Sequence, residues 1–327
     1  MILITGANGL IGRALTALYL KSGQSLRLHV RSRDALISVF PDIDKHPNVD
    51  IVEQELGAAK FDDMRKLVTG CDTIVHTAAL VHNAQSSADS YRILNLEATQ
   101  LLALAARELS VGTFVFLSTI AVYGPGPYEN IGEDAVPNPD TPYAMTKLSC
   151  ENALRQLPPA QRTVIFRCSL VFGEGDRGNM LSLIRQISRK RFVHPGASRA
   201  RKSLIYAGDV ADAIAHSIDK VEPGVHTFNL ANEHAPDVRT LAEMIREAVG
   251  TERPIPTIPP AVLTASGFVM EKVLGHRAPL TREKLRKLVT SNSCSVGRLR
   301  ETGFVARTPL RSALHAEVVW ARANGLL

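Results

Sequence analysis

The chain has 327 residues, 45% of them hydrophobic and 5% aromatic, with a formal net charge of +6. That length buries a large core, as one big domain or two closely joined lobes, and the mixed composition excludes low-complexity, repeat and disordered classes. The densest basic stretch, Arg185 to Lys202, has only Phe192 interleaved, so a nucleic-acid partner is not expected and the cations suit a solvated face or an anionic small molecule. Along the chain, Met1-Ile2-Leu3-Ile4-Thr5 reads as an apolar strand, followed by Gly6, Gly9 and Gly12 and a helical pattern from Leu10 to Lys21. Strand, glycine turn and helix in that order set bare backbone N–H groups and a helix N-terminus against a pyrophosphate. The first glycine serves the tight turn, the second the approach of the phosphate, and the third close helix–strand packing.

Further strands are expected at Ser25–Val30, Val49–Glu53, Thr73–His76, Thr113–Ser118 and Thr163–Arg167. Helical patterns lie between them at Phe61–Val68, Ala88–Glu108 and Tyr143–Gln156. This alternation predicts an α/β fold, a Rossmann-type doubly wound parallel sheet with helices on both faces. After Phe172 the rhythm changes to helices at Met180–Ser188, Asp209–Ile218, Val238–Val249, Ala261–Leu274 and Leu310–Ala323, with a strand at Val225–Leu230. The reading is a dinucleotide-binding domain over 1–168, taking in segments near 203–230, interleaved with a smaller, mostly helical C-terminal substrate lobe over 169–327. No room is left for a signal peptide ahead of the first strand and no run reaches about eighteen apolar residues, so a cytoplasmic protein with no membrane partner is expected. Cys71, Cys150, Cys168 and Cys294 are far apart, without zinc or redox spacing, which predicts reduced, buried thiols and no metal site.

Tyr143 and Lys147 stand four apart at the start of a helical pattern and share one face, with Pro142 fixing the helix start. A free phenol titrates at roughly 10, and a neighbouring ammonium together with an oxidised nicotinamide favours the phenolate. The strand ending in Ser118 and Thr119 delivers hydroxyls that can hold a substrate oxygen beside that tyrosine.

Gly6-Ala7-Asn8-Gly9-Leu10-Ile11-Gly12, His76-Thr77-Ala78-Ala79, Leu117-Ser118-Thr119-Ile120-Ala121-Val122-Tyr123-Gly124 and Tyr143-Ala144-Met145-Thr146-Lys147 resemble the extended short-chain dehydrogenase/reductases, and more closely their nucleotide-sugar epimerase/dehydratase/reductase branch. The resemblance implies Tyr143 as the acid/base, Lys147 as its ribose-binding and pKa-lowering partner, and Thr119, four before Tyr123, as the third catalytic hydroxyl. It places Ser118 on the nicotinamide side, Asn95 on a helix facing the active site, and Ala78 and Ala79 beneath the cofactor ribose. Gly6, Asn8, Gly9, Leu10, Ile11 and Gly12 form the cofactor's phosphate turn. Glu55-Leu56 resembles the pair beside the adenine.

After the second strand, where an acid would accept from the ribose of NAD, the chain carries Arg31 and Arg33. Guanidinium forks suit a 2′-phosphate, so NADP(H) is favoured and NAD(H) is the alternative. On the substrate side the resemblance points to Asn179, to Arg201 or Lys202 as the diphosphate cation, and to His82 near the sugar. The branch's dehydratases carry an Asp-Glu pair after the catalytic threonine; Ile120 and Ala121 stand there, which argues against dehydration. The expected activity is oxidoreduction or epimerisation at C4 of a nucleotide-linked sugar. Reduction of a UDP-4-keto-6-deoxy-hexosamine for surface polysaccharide is placed first, a UDP-sugar 4-epimerase second, and a hydroxysteroid- or flavonoid-type reductase third. A homodimer paired through the Ser90–Leu109 and Tyr143–Gln156 helices is also implied.

Overall fold

A computed structural model describes residues 1–81, 87–196, 198–259, 286 and 288–327. Its strands begin with β1 (Ile2–Thr5), β2 (Leu26–Val30), β3 (Val49–Glu53), β4 (Thr73–His76), β5 (Thr113–Thr119), β6 (Tyr128–Ile131) and β7 (Arg162–Cys168). They continue with β8 (Leu170–Phe172), β9 (His194–Pro195), β10 (Leu204–Tyr206), β11 (Gly224–Leu230), β12 (Thr257–Ile258) and β13 (Asn292–Cys294). Seven of them form one parallel sheet in the order β11-β7-β5-β4-β1-β2-β3. The order reverses between β1 and β4, and such a reversal opens a crevice at the carboxyl ends of the strands. The glycine turn after β1 lies there.

The helices are α1 (Leu10–Lys21), α2 (Arg33–Ile37), α3 (Phe61–Val68), α4 (Ala88–Tyr91), α5 (Ala98–Glu108), α6 (Pro142–Gln156), α7 (Asn179–Ser188), α8 (Ala207–Lys220), α9 (Val238–Val249), α10 (Gly297–Glu301) and α11 (Leu310–Ala323). Strand alternation sends side chains to opposite faces and so decides which helices cover which side. Ile4, Leu28, Val115 and Phe166 pack with Leu15 and Tyr19 of α1 and Val210 and Ile214 of α8. Leu3, Ile74, Phe114 and Phe116 pack with Met64 of α3, Leu102 of α5 and Leu154 of α6. A third cluster joins α7, α9 and α11 through Ile184, Leu241, Ile245, Leu314 and Val318. No described helix is long and apolar enough to cross a membrane.

The doubly wound parallel sheet is as the sequence predicts; several details differ. The single helix expected over Ala88–Glu108 is α4 and α5 joined by a π-type turn at Arg92–Glu97. Side-chain donors hold the carbonyl of Asn95 in that turn: Thr99 Oγ1 at 2.5 Å and Cys150 Sγ at 3.2 Å. The short pairs β8–β10 and β6–β13 have no periodic signal of their own. The helix expected over Ala261–Leu274 lies outside the described residues.

Candidate active site

The cradle is built by exclusion of side chains. Gly6 takes φ +69°, and a Cβ there would sit 3.0 Å from the Cα of Ala78. At Gly12 a Cβ would lie 2.2 Å from the Gly6 carbonyl oxygen, so only glycine lets α1 pack this close to β1. Gly9 caps α1 with extended backbone and no side-chain acceptor, and no acid stands in the first turn. The helix therefore presents open N–H donors and the positive end of its dipole. Asn8, Leu10 and Ile11 are half-buried along this turn. A diphosphate-bearing dinucleotide fits these constraints.

Two residues at the rim were not picked out from sequence. Arg13 Nε donates to the Asn8 carbonyl at 2.8 Å, and its guanidinium lies against Gly175 in the loop after β8. Burial and the neighbouring Arg177 both lower the Arg13 pKa. Their only sequence signal was position, one directly after the third glycine and the other in a loop without periodicity.

At the end of β2, Arg31 and Arg33 are both exposed. The backbone N–H of Arg33 donates to Glu53 at 2.8 Å, which occupies that carboxylate. Glu55 is exposed, whereas Leu56 is 5% exposed and belongs to the sheet core. Ala78 and Ala79 are half-buried at the end of β4, and the Ala78 N–H donates to Thr5 Oγ1 at 3.2 Å.

The N-terminus of α6 is fixed by Thr141, whose side chain accepts from the Ala144 N–H at 3.2 Å, and by Pro142 in the first turn. Lys147 is buried; its Nζ donates to the Leu117 carbonyl at 2.7 Å and lies 4.5 Å from the centre of the Phe116 ring. Burial pushes this ammonium down from its ordinary range. Tyr143 is half-buried, and burial, then Cys168, Cys150 and Tyr91, pushes its phenol up rather than down. The protein by itself therefore holds Tyr143 protonated, with the Lys147 charge engaged on a backbone oxygen. Thr119 is paired in register with Cys168, and Cys168 lies within electrostatic reach of both Tyr143 and Lys147. Through Leu117, Lys147 is bonded to β5 two residues before Thr119, at the carboxyl edge of the sheet.

The Ser118 hydroxyl donates to Glu151 of α6 at 2.5 Å, and the residue is 3% exposed. Alternation explains this, because Ser118 shares a face with Phe114 and Phe116, which α6 covers. Asn95 also serves the protein: Oδ1 accepts from the Leu80 N–H at 2.7 Å and Nδ2 donates to the Leu80 carbonyl at 3.0 Å. It anchors the chain leaving β4.

On the other wall, Asn179 is exposed at the first turn of α7 and Arg201 is exposed beside Lys202. Lys202 Nζ donates to the Thr290 carbonyl at 2.6 Å, and burial lowers its pKa to about 8. Buried Glu317 of α11 accepts from the Gly173 N–H at 3.0 Å and so ties the last helix to the loop that carries Arg177. His82 lies outside the described residues. All four cysteines are free and buried, and burial raises each thiol, Cys168 to about 12.

A curated relative in Escherichia coli O157:H7, N-acetyl-α-D-glucosaminyl-diphospho-ditrans,octacis-undecaprenol 4-epimerase, is 23% identical over 320 residues, covering 96% of this chain and 92% of its own. The UDP-glucose 4-epimerase of Vibrio cholerae is 29% identical over 276 residues, covering 79% of this chain and 78% of its own. Among solved structures, the Bordetella bronchiseptica enzyme WbmH in complex with NAD+ superposes with a TM-score of 0.79 at 21% identity, covering 98% of each chain. The sequence pattern of one family matches residues 2–231, which hold the cradle, β5 and the Tyr143–Lys147 helix. The chain belongs to the NAD dependent epimerase/dehydratase family.

Proposed function

We propose that this protein transfers hydride at C4 of a sugar carried on a diphosphate, working as an NAD(P)-dependent 4-epimerase. The observation that carries the reading is Lys147 Nζ bonded to the Leu117 carbonyl at 2.7 Å, two residues before Thr119, at the same sheet edge as a cradle that only glycines allow. The named activities of the two curated relatives, both 4-epimerases, support epimerisation. Ile120 and Ala121 carry no group able to move the additional proton that dehydration requires.

A bound nicotinamide supplies or accepts the hydride. Tyr143 moves the proton at the sugar O4, Thr119 hydrogen-bonds the same oxygen, and Lys147 holds ribose hydroxyls and favours the phenolate when the phenol gives up its proton. The phenol that burial keeps protonated is the form needed to protonate O4 when a keto sugar is reduced. Gly6, Gly9 and Gly12 hold the dinucleotide's diphosphate; Lys202, Arg201 and Asn179 receive the diphosphate of the sugar.

Arg31 and Arg33 favour a second reading, reduction of a 4-keto-6-deoxy-hexosamine by exchangeable NADPH. Mass spectrometry of the dinucleotide retained through purification separates the two, followed by incubation with UDP-N-acetylglucosamine and UDP-glucose. Retained NAD+ with interconversion of C4 epimers supports the epimerase. Loss of dinucleotide, with NADPH oxidised only by a 4-keto sugar, supports the reductase. Absence of any thermal shift with UDP or dTDP, for a protein that still binds dinucleotide, points instead to a lipophilic carbonyl substrate. Arg31→Asp is expected to shift the ratio of NADPH to NADH dissociation constants at least tenfold toward NADH, about 1.4 kcal/mol; an unchanged ratio would remove the 2′-phosphate assignment.

Lys202 gives this reading a pH signature. Burial disfavours its charged form, so the ammonium is present below about pH 8 and lost above it. For the free enzyme, kcat/KM toward a diphosphate sugar is expected to fall through that pH. Lys202→Arg, permanently charged, should carry the plateau at least one unit higher. A profile that is the same in both proteins would separate Lys202 from the diphosphate.

The homodimer through α5 and the helix carrying Tyr143 belongs to the same proposal. Leu104 and Met145, 41% and 50% exposed on those helices, are the apolar side chains that such a contact would cover. Light scattering at micromolar concentration tests it, and a monomer rejects it.

A further inference from the structure

Behind the Tyr143–Lys147 stripe, α6 carries a buried carboxylate that the proposed chemistry leaves unused. Glu151 is completely buried, and the Arg167 of β7 that it meets is 3% exposed. Arg167 grips the carboxylate through Nη2 at 2.8 Å and Nε at 3.1 and 3.2 Å, and Arg155 Nη2 adds a further contact at 2.8 Å. Ser118 donates to the other carboxylate oxygen. The far side of Arg167 is also satisfied, with Nη1 donating to Tyr123 Oη at 3.0 Å and to the Glu133 carbonyl at 3.1 Å. Tyr123 Oη in turn donates to Asn229 of β11 at 2.7 Å. Every charged member has a partner, the condition under which a buried polar network fixes one arrangement.

The network has a direction. Leu117 and Ser118 are consecutive at the end of β5; the first accepts from Lys147 and the second donates to Glu151, one helical turn further along α6. Two rungs one turn apart set both the rotation and the axial position of α6 on the strand that ends in Thr119. A slip of one residue would move the helix by about 1.5 Å, enough to separate a phenol from its proton-transfer partner.

We propose that Glu151 and Arg167 are positioning residues that lock α6 in register on β5 and so hold Tyr143 and Lys147 against Thr119 and the bound nicotinamide. This rests on the reading of Tyr143 as the acid/base. The groups facing Tyr143 are Cys168 of β7, Cys150 of α6 and Tyr91 of α4; those facing Lys147 are Cys150, Cys168, Glu151 and His76. Glu151 is the carboxylate among them, and its charge supports the Lys147 ammonium against burial.

The test reads the Tyr143 phenolate by ultraviolet difference titration in the full-length protein, with and without NAD+, in wild type, Glu151→Gln, Ser118→Ala and Tyr143→Phe. In wild type, one phenolate absent from Tyr143→Phe is expected to titrate at least one pH unit lower with NAD+ than without. Glu151→Gln is expected to abolish most of that NAD+-linked shift while NAD+ affinity, measured by calorimetry, stays within about threefold. Ser118→Ala, which leaves the ion pair intact, should reduce the shift partially, and it decides the question if Glu151→Gln does not fold. Wild-type shifts in both variants, even with a lowered Tm, would show a role in stability alone and overturn the inference while leaving Tyr143 in place. A wild type with no NAD+-linked phenolate overturns the Tyr143 reading itself, and the inference with it.

Discussion

Tyr143→Phe is expected to lower kcat by about 10²–10⁴-fold, ~3–5 kcal/mol of barrier, with dinucleotide binding nearly unchanged. The ring and its packing survive the substitution; what disappears is the hydroxyl that the proposed chemistry uses to exchange a proton with O4. Because burial holds the phenol protonated, its loss removes the proton donor of the reductive half-reaction directly. The oxidative half-reaction suffers as well, since phenylalanine cannot accept the proton that leaves O4. Single-turnover absorbance of the nicotinamide, with UDP-N-acetylglucosamine as the probe sugar, separates chemistry from release. Wild-type single-turnover rates in Tyr143→Phe would move the acid/base to another residue.

Gly12→Ala should be the most damaging small substitution in the cradle. Its new methyl would stand 2.2 Å from the Gly6 carbonyl oxygen and 2.8 Å from the Cα of Ala7, both backbone atoms that cannot rotate away. Either α1 lifts from β1 or the turn after β1 deforms, and overpacking of this kind costs about 1–3 kcal/mol. Calorimetry should show a Tm lowered by roughly 2–10 °C. Dinucleotide affinity should fall by about tenfold or more, because the N–H donors of the turn move with the helix. Gly23→Ala is the contrast: a Cβ there meets nothing within 4 Å, and its φ of +69° makes the change a matter of local backbone strain far from the cradle. A Gly12→Ala protein with undiminished affinity would mean that α1 and β1 are less tightly apposed than their atoms indicate.

The sheet was legible because its buried strands are short apolar runs bounded by turn residues, and Val238–Val249 was found to the residue because that helix is strongly amphipathic. The π-type turn at Arg92–Glu97 was hidden, since its cause, two side-chain donors on the Asn95 carbonyl, includes a cysteine from a different helix. The glycine turn and the Tyr143–Lys147 spacing are local patterns, so both could be picked out in one dimension. Glu151 could not: on the sequence it is one more acid at helical spacing, and only the pairing of β5 with β7 brings Arg167 and Ser118 to it. The bond from Ser118 to Glu151 was half legible: period-two alternation puts Ser118 on the face of Phe114 and Phe116, but not which helix covers it.

The four sequestered sulfurs give the molecule a silent background toward thiol-specific reagents. Any labelling of the native protein then reports transient local opening, and its rate at each position measures how often that part of the structure breathes. Cys168 is the register partner of Thr119 and within electrostatic reach of Lys147, so compounds that settle beside Thr119 should slow its modification. A library of sugar conjugates can thus be ranked by mass-tag footprinting before any turnover has been seen.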